Sequence, residues 1–199
     1  MSWFTRSKPD KPYIDGTEES PRAKTRNERR NTLRQSIVFA MFGALMFCSK
    51  LLLEALPNIH MLGMFTMLLT IVYRRRALVP IYIFVFMYGL FVGFDVWWIP
   101  YLYIWTLLWG VTMLLPRRMP DKIAAVVYPF VCALHGLAYG TLYAPVQALI
   151  YNLGLKGMFA WIAAGFPFDL IHAEGNFALG LLILPLSKLL LKLEGRYRT

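Results

Sequence analysis

Asp169, His172, Glu174 and Asn176 fall within eight positions of "FPFDLIHAEGNFALG", a segment that is otherwise apolar. A charged side chain near the centre of a bilayer helix costs roughly 2.5–3.5 kcal/mol on insertion scales, so such residues avoid the centre or do a job. Carboxylate, imidazole and carboxamide groups held together can orient a small polar molecule. An Asp169/His172 pair can also pass a proton.

At about 100° per residue, with Asp169 at zero, His172 lies near about −60°, Asn176 near about −20° and Gly180 near about +20°. These residues make one stripe, whereas Glu174, at about 140°, faces elsewhere. The stripe starts at one end of a helix and descends about 10 Å to Asn176. Each residue also has a purely structural role open to it. Asp169, two positions after Pro167, suits a first-turn amide. Asn176 suits interhelical hydrogen bonding. His172 suits packing. Three such residues on one face favour a polar pocket, and His135, in the preceding apolar block, can face the same cavity.

The elements that would carry this pocket are membrane helices. Of 199 residues, 58% are hydrophobic and 16% charged, well below the charged quarter usual in soluble domains. Six apolar blocks are long enough to span, at about 36–55, 59–73, 77–94, 98–115, 122–143 and 159–191. The last exceeds one straight span, and Gly165 and Pro167 are expected to divide it, leaving the crossing helix at about 167–184. Residues 145–157 read as an outer-surface segment.

Nineteen of the 21 Lys and Arg residues lie in the first 35 residues, at Arg74–Arg76, at Arg117, Arg118 and Lys122, or from Lys188 to Arg198. With six spans these clusters share one side. The positive-inside rule makes that side cytoplasmic, with both termini there. The expected architecture is therefore an all-α integral membrane bundle of six helices over 34–193. A basic, unstructured tail over 1–33 and a short tail over 194–199 flank it. The first 35 residues lack an apolar signal region, so no secretory signal is expected.

The opposite connections, "EALPNIH", "GFDVWWIP" and "YAPVQALIYNLGLKG", gather aromatics, amides and Pro. Trp97, Trp98 and Tyr101 form an interfacial belt or part of a site. Lys50 and Glu54 are spaced to pair along the first helix. Cys48 and Cys132 lie in apolar blocks and read as small core residues.

Recognisable catalytic chemistry is absent from the sequence. No serine sits in a Gly-x-Ser-x-Gly elbow, and no His-Glu-x-x-His, paired-aspartate or phosphate-loop pattern occurs. Uphill work would need a partner's energy. His60, His135 and His172 have no metal-ligand spacing, so no metal and no cofactor is expected. The net charge of +10 resides at helix ends, which argues against nucleic acid. The default is non-covalent capture of a small molecule by flat rings and a few placed polar groups.

Ala40 and Ala44, with Gly43 beside them, give the first helix a small-residue face. Together with six spans, "EALPNIH" after the first helix and "GFPFDLIHAEGN" opening the last, this resembles the substrate-binding S components of energy-coupling factor transporters. The likeness covers about residues 32–192. It implies capture of a vitamin or similar micronutrient at the outer face of a prokaryotic plasma membrane. It also implies docking on a transmembrane T component carrying two cytoplasmic ATPases, and toppling of the subunit in the lipid bilayer. Ala40, Gly43 and Ala44 would meet the T component. Trp97, Trp98 and Tyr101 would stack on or roof a ring, and Asp169, His172 and Asn176 would bond its polar edge. Asn58, Gln147 and His135 are further wall candidates. Nickel and cobalt members begin Met-His, whereas this chain begins Met1-Ser2, against a metal cargo. A membrane enzyme using Asp169 and His172, and a helix-assembly protein, are the competing readings.

Overall fold

A computed structural model describes residues 21–56 and 58–195; the expectations for residues 1–20 and 196–199 lie outside the described residues. Two compact units divide the chain, residues 1–37 and 38–199. In the described part of the first, the helix is polar and Thr32 Oγ1 donates to the Glu28 carbonyl at 3.0 Å.

Regular structure among the described residues is entirely helical. The elements are α1 (Pro21–Leu52), α2 (Leu62–Tyr73), a short 3-10 turn (Arg74–Ala77), α3 (Leu78–Val92), α4 (Trp98–Leu114), α5 (Asp121–Leu137), α6 (Tyr139–Ile150), α7 (Gly154–Gly180) and α8 (Ile183–Leu193). Helix α1 reaches back to Pro21, so residues 21–33, expected to be unstructured, are helical. Pro is preorganised for a first helical turn, and the Arg, Lys and Glu residues that follow are good helix formers.

The sequence marks several breaks. Arg74 leaves the helical region at φ 56, ψ −121. Gly93 ends α3 at φ 107, a conformation that favours glycine, with its N–H on the Gly89 carbonyl. Leu115 is extended at ψ 143, as the residue before Pro116 should be. One expected break is misplaced. Helix α7 runs unbroken through Gly165 and Pro167, and the interruption comes at Leu181–Leu182, where α8 turns away by 43°. A proline inside a membrane-type helix loses one hydrogen bond but does not end the helix where neighbours support it.

Among the described residues, three helical runs are long and apolar enough to cross a membrane: Glu28–Leu52, Leu62–Val92 and Asp121–Ile150. Helices α7 and α8 together make a fourth, and α4 is a shorter apolar helix. Leu52, Leu90, Leu114 and Leu149 are 75–85% exposed, an exterior ordinary against acyl chains and costly in water.

Hydrogen bonds collect at two ends of the second unit. At one, Arg74 donates to the Met113 carbonyl at 2.7 Å, Tyr73 meets Glu194 at 3.2 Å, and Lys188 pairs with Asp121. At the other, Tyr143 donates to the Trp97 carbonyl, Tyr103 to the Leu142 carbonyl, and Lys50 pairs with Glu54 at 2.8 Å as its spacing predicts. Between them lies a core centred on Trp105, Phe84, Met67 and Ile104.

Two side-chain expectations are corrected. Gly43 is buried against α3: a Cβ there would lie 2.4 Å from Ile83 Cγ2 and 3.2 Å from the Pro80 carbonyl. It faces inward and offers no surface to a partner, whereas Ala40 is exposed and Ala44 half-buried. Cys132 is buried as expected, but Cys48 is exposed on α1.

Candidate functional site

The buried residues of α7 are Asp169, His172, Asn176 and Gly180, the stripe that helical geometry predicts, and Glu174 is exposed. Their partners differ. Asp169 accepts the Gly140 amide at 2.8 Å. Gly140 is the second residue of α6, so the carboxylate caps the start of a neighbouring helix, where orphan N–H groups and the helix dipole favour a negative charge. Asn176 donates to the Cys132 carbonyl of α5 at 3.2 Å. These two side chains thus join α7 to α6 and α5.

Asp169→Ala should therefore destabilise the protein by about 1 kcal/mol, the usual worth of a helix cap, with Asp169→Asn costing less. Thermal unfolding in detergent measures both. An alanine variant that melts with the wild type would remove the capping role.

His172 sits at the heart of a ring cluster. Its imidazole stacks on Tyr139 with centroids 4.6 Å apart and an interplanar angle of 29°, and lies 5.1 Å from His60. Trp105 meets His60 at 5.6 Å, His135 at 5.8 Å and Tyr139 at 6.2 Å. Tyr101 joins edge-on to Trp105 at 5.6 Å and extends the chain to Trp97 at 5.5 Å. The rings come from α4 and the Trp97 before it, from α5, α6 and α7, and from His60, which lies outside any helix between α1 and α2.

This cluster holds the unusual feature of the protein. Both ring nitrogens of His60, Trp105 Nε1, His135 Nδ1 and His172 Nδ1 are buried with no well-aligned hydrogen-bond partner among the described residues; His60 keeps only a weak contact with its own backbone, and His172 one with the Phe168 backbone. Buried polar atoms are normally paired, and each left alone costs about 1–3 kcal/mol. His135 Nε2 lies 3.1 Å from the Ile104 carbonyl, which can only accept. Nε2 therefore carries the proton, and Nδ1 is an acceptor.

The structure thus gathers Trp97, Tyr101, His135 and His172 of the expected site, with Asp169 and Asn176 as braces beside them. Trp98 does not join: it packs on Phe94 at 4.9 Å and donates to the Val85 carbonyl at 3.0 Å. Asn58 is a turn residue at φ 62, which asparagine tolerates, in the connection that carries His60. Gln147 is buried on α6. His60, Trp105 and Tyr139 were missed. His60 has no helical periodicity to betray it, and Trp105 and Tyr139 lie in apolar runs with several other aromatics, where nothing in the sequence singles them out. Among the described residues, no three His, Cys, Asp or Glu side chains come close enough to hold a metal ion.

Compared with known proteins, the chain matches no family model, no curated protein and no solved structure.

Proposed function

We propose that this chain is a membrane-embedded capture subunit for a small molecule, of the kind that serves as the S component of an energy-coupling factor importer. One observation carries the capture reading: four buried rings from four separate elements bring unpartnered nitrogens into one aromatic cluster. An incoming molecule that pairs with those atoms recovers the free energy they forfeit, and the flat faces give it stacking area.

The importer reading further rests on the resemblance in residues 32–192. It takes the chain through a plasma membrane six times with both termini cytoplasmic. Two features support six crossings. The run Leu62–Val92 is interrupted at Arg74, φ 56, and carries Arg74, Arg75 and Arg76 there, which suits a cytoplasmic turn between two spans. Helix α4 then starts beside Trp97 and ends where Arg74 meets Met113. In this reading a T component and two ATPases supply the energy, and the vitamin-like cargo arrives at the end where Trp97 and Tyr143 meet.

The partner face is testable apart from the pocket. Ala40→Trp and Ala44→Trp should reduce uptake at least tenfold while the isolated protein still binds its molecule, because Ala40 is exposed on α1 and remote in sequence from every ring of the cluster. Uptake assays and binding to the purified chain read the two effects. Loss of binding along with uptake would contradict the separation of capture from docking.

A further inference from the structure

From the partners that the cluster's side chains have and lack, we infer that the captured molecule is an uncharged planar ring presenting both a hydrogen-bond donor and an acceptor, as an amide or lactam does. This deepens the capture reading and rests on it. The first argument is the inventory of unpartnered atoms. Trp105 Nε1–H can only donate, and so calls for an acceptor on the ligand. His135 Nδ1, with Nε2 already donating to Ile104, can only accept and calls for a donor. His60, with neither nitrogen in a well-aligned hydrogen bond, offers one of each when neutral. A molecule with acceptors alone, or donors alone, leaves part of this set unmet.

The second argument is charge. Among the described residues Asp169 is the one buried side chain of the Asp, Glu, Lys and Arg types, and its carboxylate is engaged by the Gly140 amide. Lys50, whose ammonium lies 5.6 Å over the ring of Tyr88 (itself stacked on Tyr101) and whose charge reaches His60 and His172, is already paired with Glu54 at 2.8 Å. A charged ligand would find no unengaged counter-charge, and burying an unpaired charge is far more costly than burying a hydrogen-bonded neutral group. The third is shape. Tyr139 and His172 stack at 4.6 Å, and Tyr88 and Tyr101 stack at 5.9 Å with 15° between planes, so the faces on offer are flat. Those rings touch one another, so a ligand must part them. His60 is the member whose withdrawal disturbs no helix, since its backbone is not helical.

Matched pairs of flat probes test the class: nicotinamide against nicotinate, uracil against orotate, and benzamide against benzoate. Each pair differs by a carboxylate. With the full chain in detergent micelles, titration calorimetry should find at least one neutral member binding at least tenfold more tightly than its acid. Trp105→Phe, which keeps an aromatic ring and removes the N–H, should weaken that binding about fivefold, the effect of one lost hydrogen bond. Tighter binding of the acids, binding of no probe, or equal binding by Trp105→Phe would overturn the inference. Mass spectrometry of whatever copurifies separates this failure from failure of the capture reading. A charged molecule retained by the wild type and lost from His172→Ala would leave capture standing and remove the neutral class. Absence of any bound molecule from the wild type would count against both.

Discussion

His172→Ala should weaken binding of the captured molecule by about 30-fold, the sum of one aromatic contact and one buried hydrogen bond at about 1 kcal/mol each. The residue occupies the position where the cluster's contacts converge. Its ring is stacked on Tyr139 at 4.6 Å, lies 5.1 Å from His60, and holds a buried Nδ1 with no well-aligned partner. His172→Phe separates the two contributions: the stack survives, the nitrogens go, and the loss should shrink to about fivefold. The phenylalanine variant should also keep most of the thermal stability, since the ring volume is preserved. If His172→Ala binds as the wild type does, the cluster is packing and no more.

Gly136→Leu should have the largest effect on the fold. A Cβ at position 136 would lie 2.8 Å from the His172 carbonyl oxygen and 2.8 Å from Asn176 Nδ2. The first of these is backbone, which yields only if α7 moves as a whole. Further along the same pair, a Cβ at Gly180 would lie 2.7 Å from Pro129 Cα. Helices α5 and α7 therefore touch backbone to backbone at two levels, as small residues permit in membrane bundles. Overpacking costs about 1–3 kcal/mol, and the Asn176–Cys132 bond adds about 1 more, a large share of a stability of about 5–15 kcal/mol. Because His135 stands on α5 and His172 on α7, binding should fail with the fold. Gly110→Leu is the control, since nothing lies within 4 Å of a Cβ there. Thermal unfolding and size-exclusion profiles should show Gly136→Leu grossly destabilised and Gly110→Leu near the wild type. Similar behaviour of the two would mean that the α5–α7 seam is looser than these distances imply.

Much of the α7 face was legible before the structure. A repeat of 3.6 residues places Asp169, His172, Asn176 and Gly180 together, and the same four are the buried residues of α7. Periodicity tells which residues share a face but not what they meet. Asp169 was assigned a ligand or its own helix's amides, and the amide that it meets belongs to α6. That partner exists because the chain breaks at Ala138, between α5 and α6, with no proline there to announce it. The break at Leu181–Leu182 does carry a local signal, since Pro185 has no N–H to give the Leu181 carbonyl and its ring crowds it, but Pro167, which sits inside a continuous helix, drew the expectation instead. Gly43 shows the converse limit. A small residue permits close approach, yet the sequence does not say whether the approaching helix is α3 or another chain. His60 belongs to no periodic segment, so its place against His172 depends on tertiary folding alone.

The central claim is that the ring cluster holds a small molecule, and copurification tests it most directly. The full chain and its His60→Ala/His172→Ala variant should be purified in the same detergent, heat-denatured, and the released compounds compared by mass spectrometry. The account predicts a non-lipid small molecule in about stoichiometric amount with the wild type and its depletion at least tenfold from the variant. No such molecule with the wild type, or the same molecule in equal amount with both proteins, would contradict it.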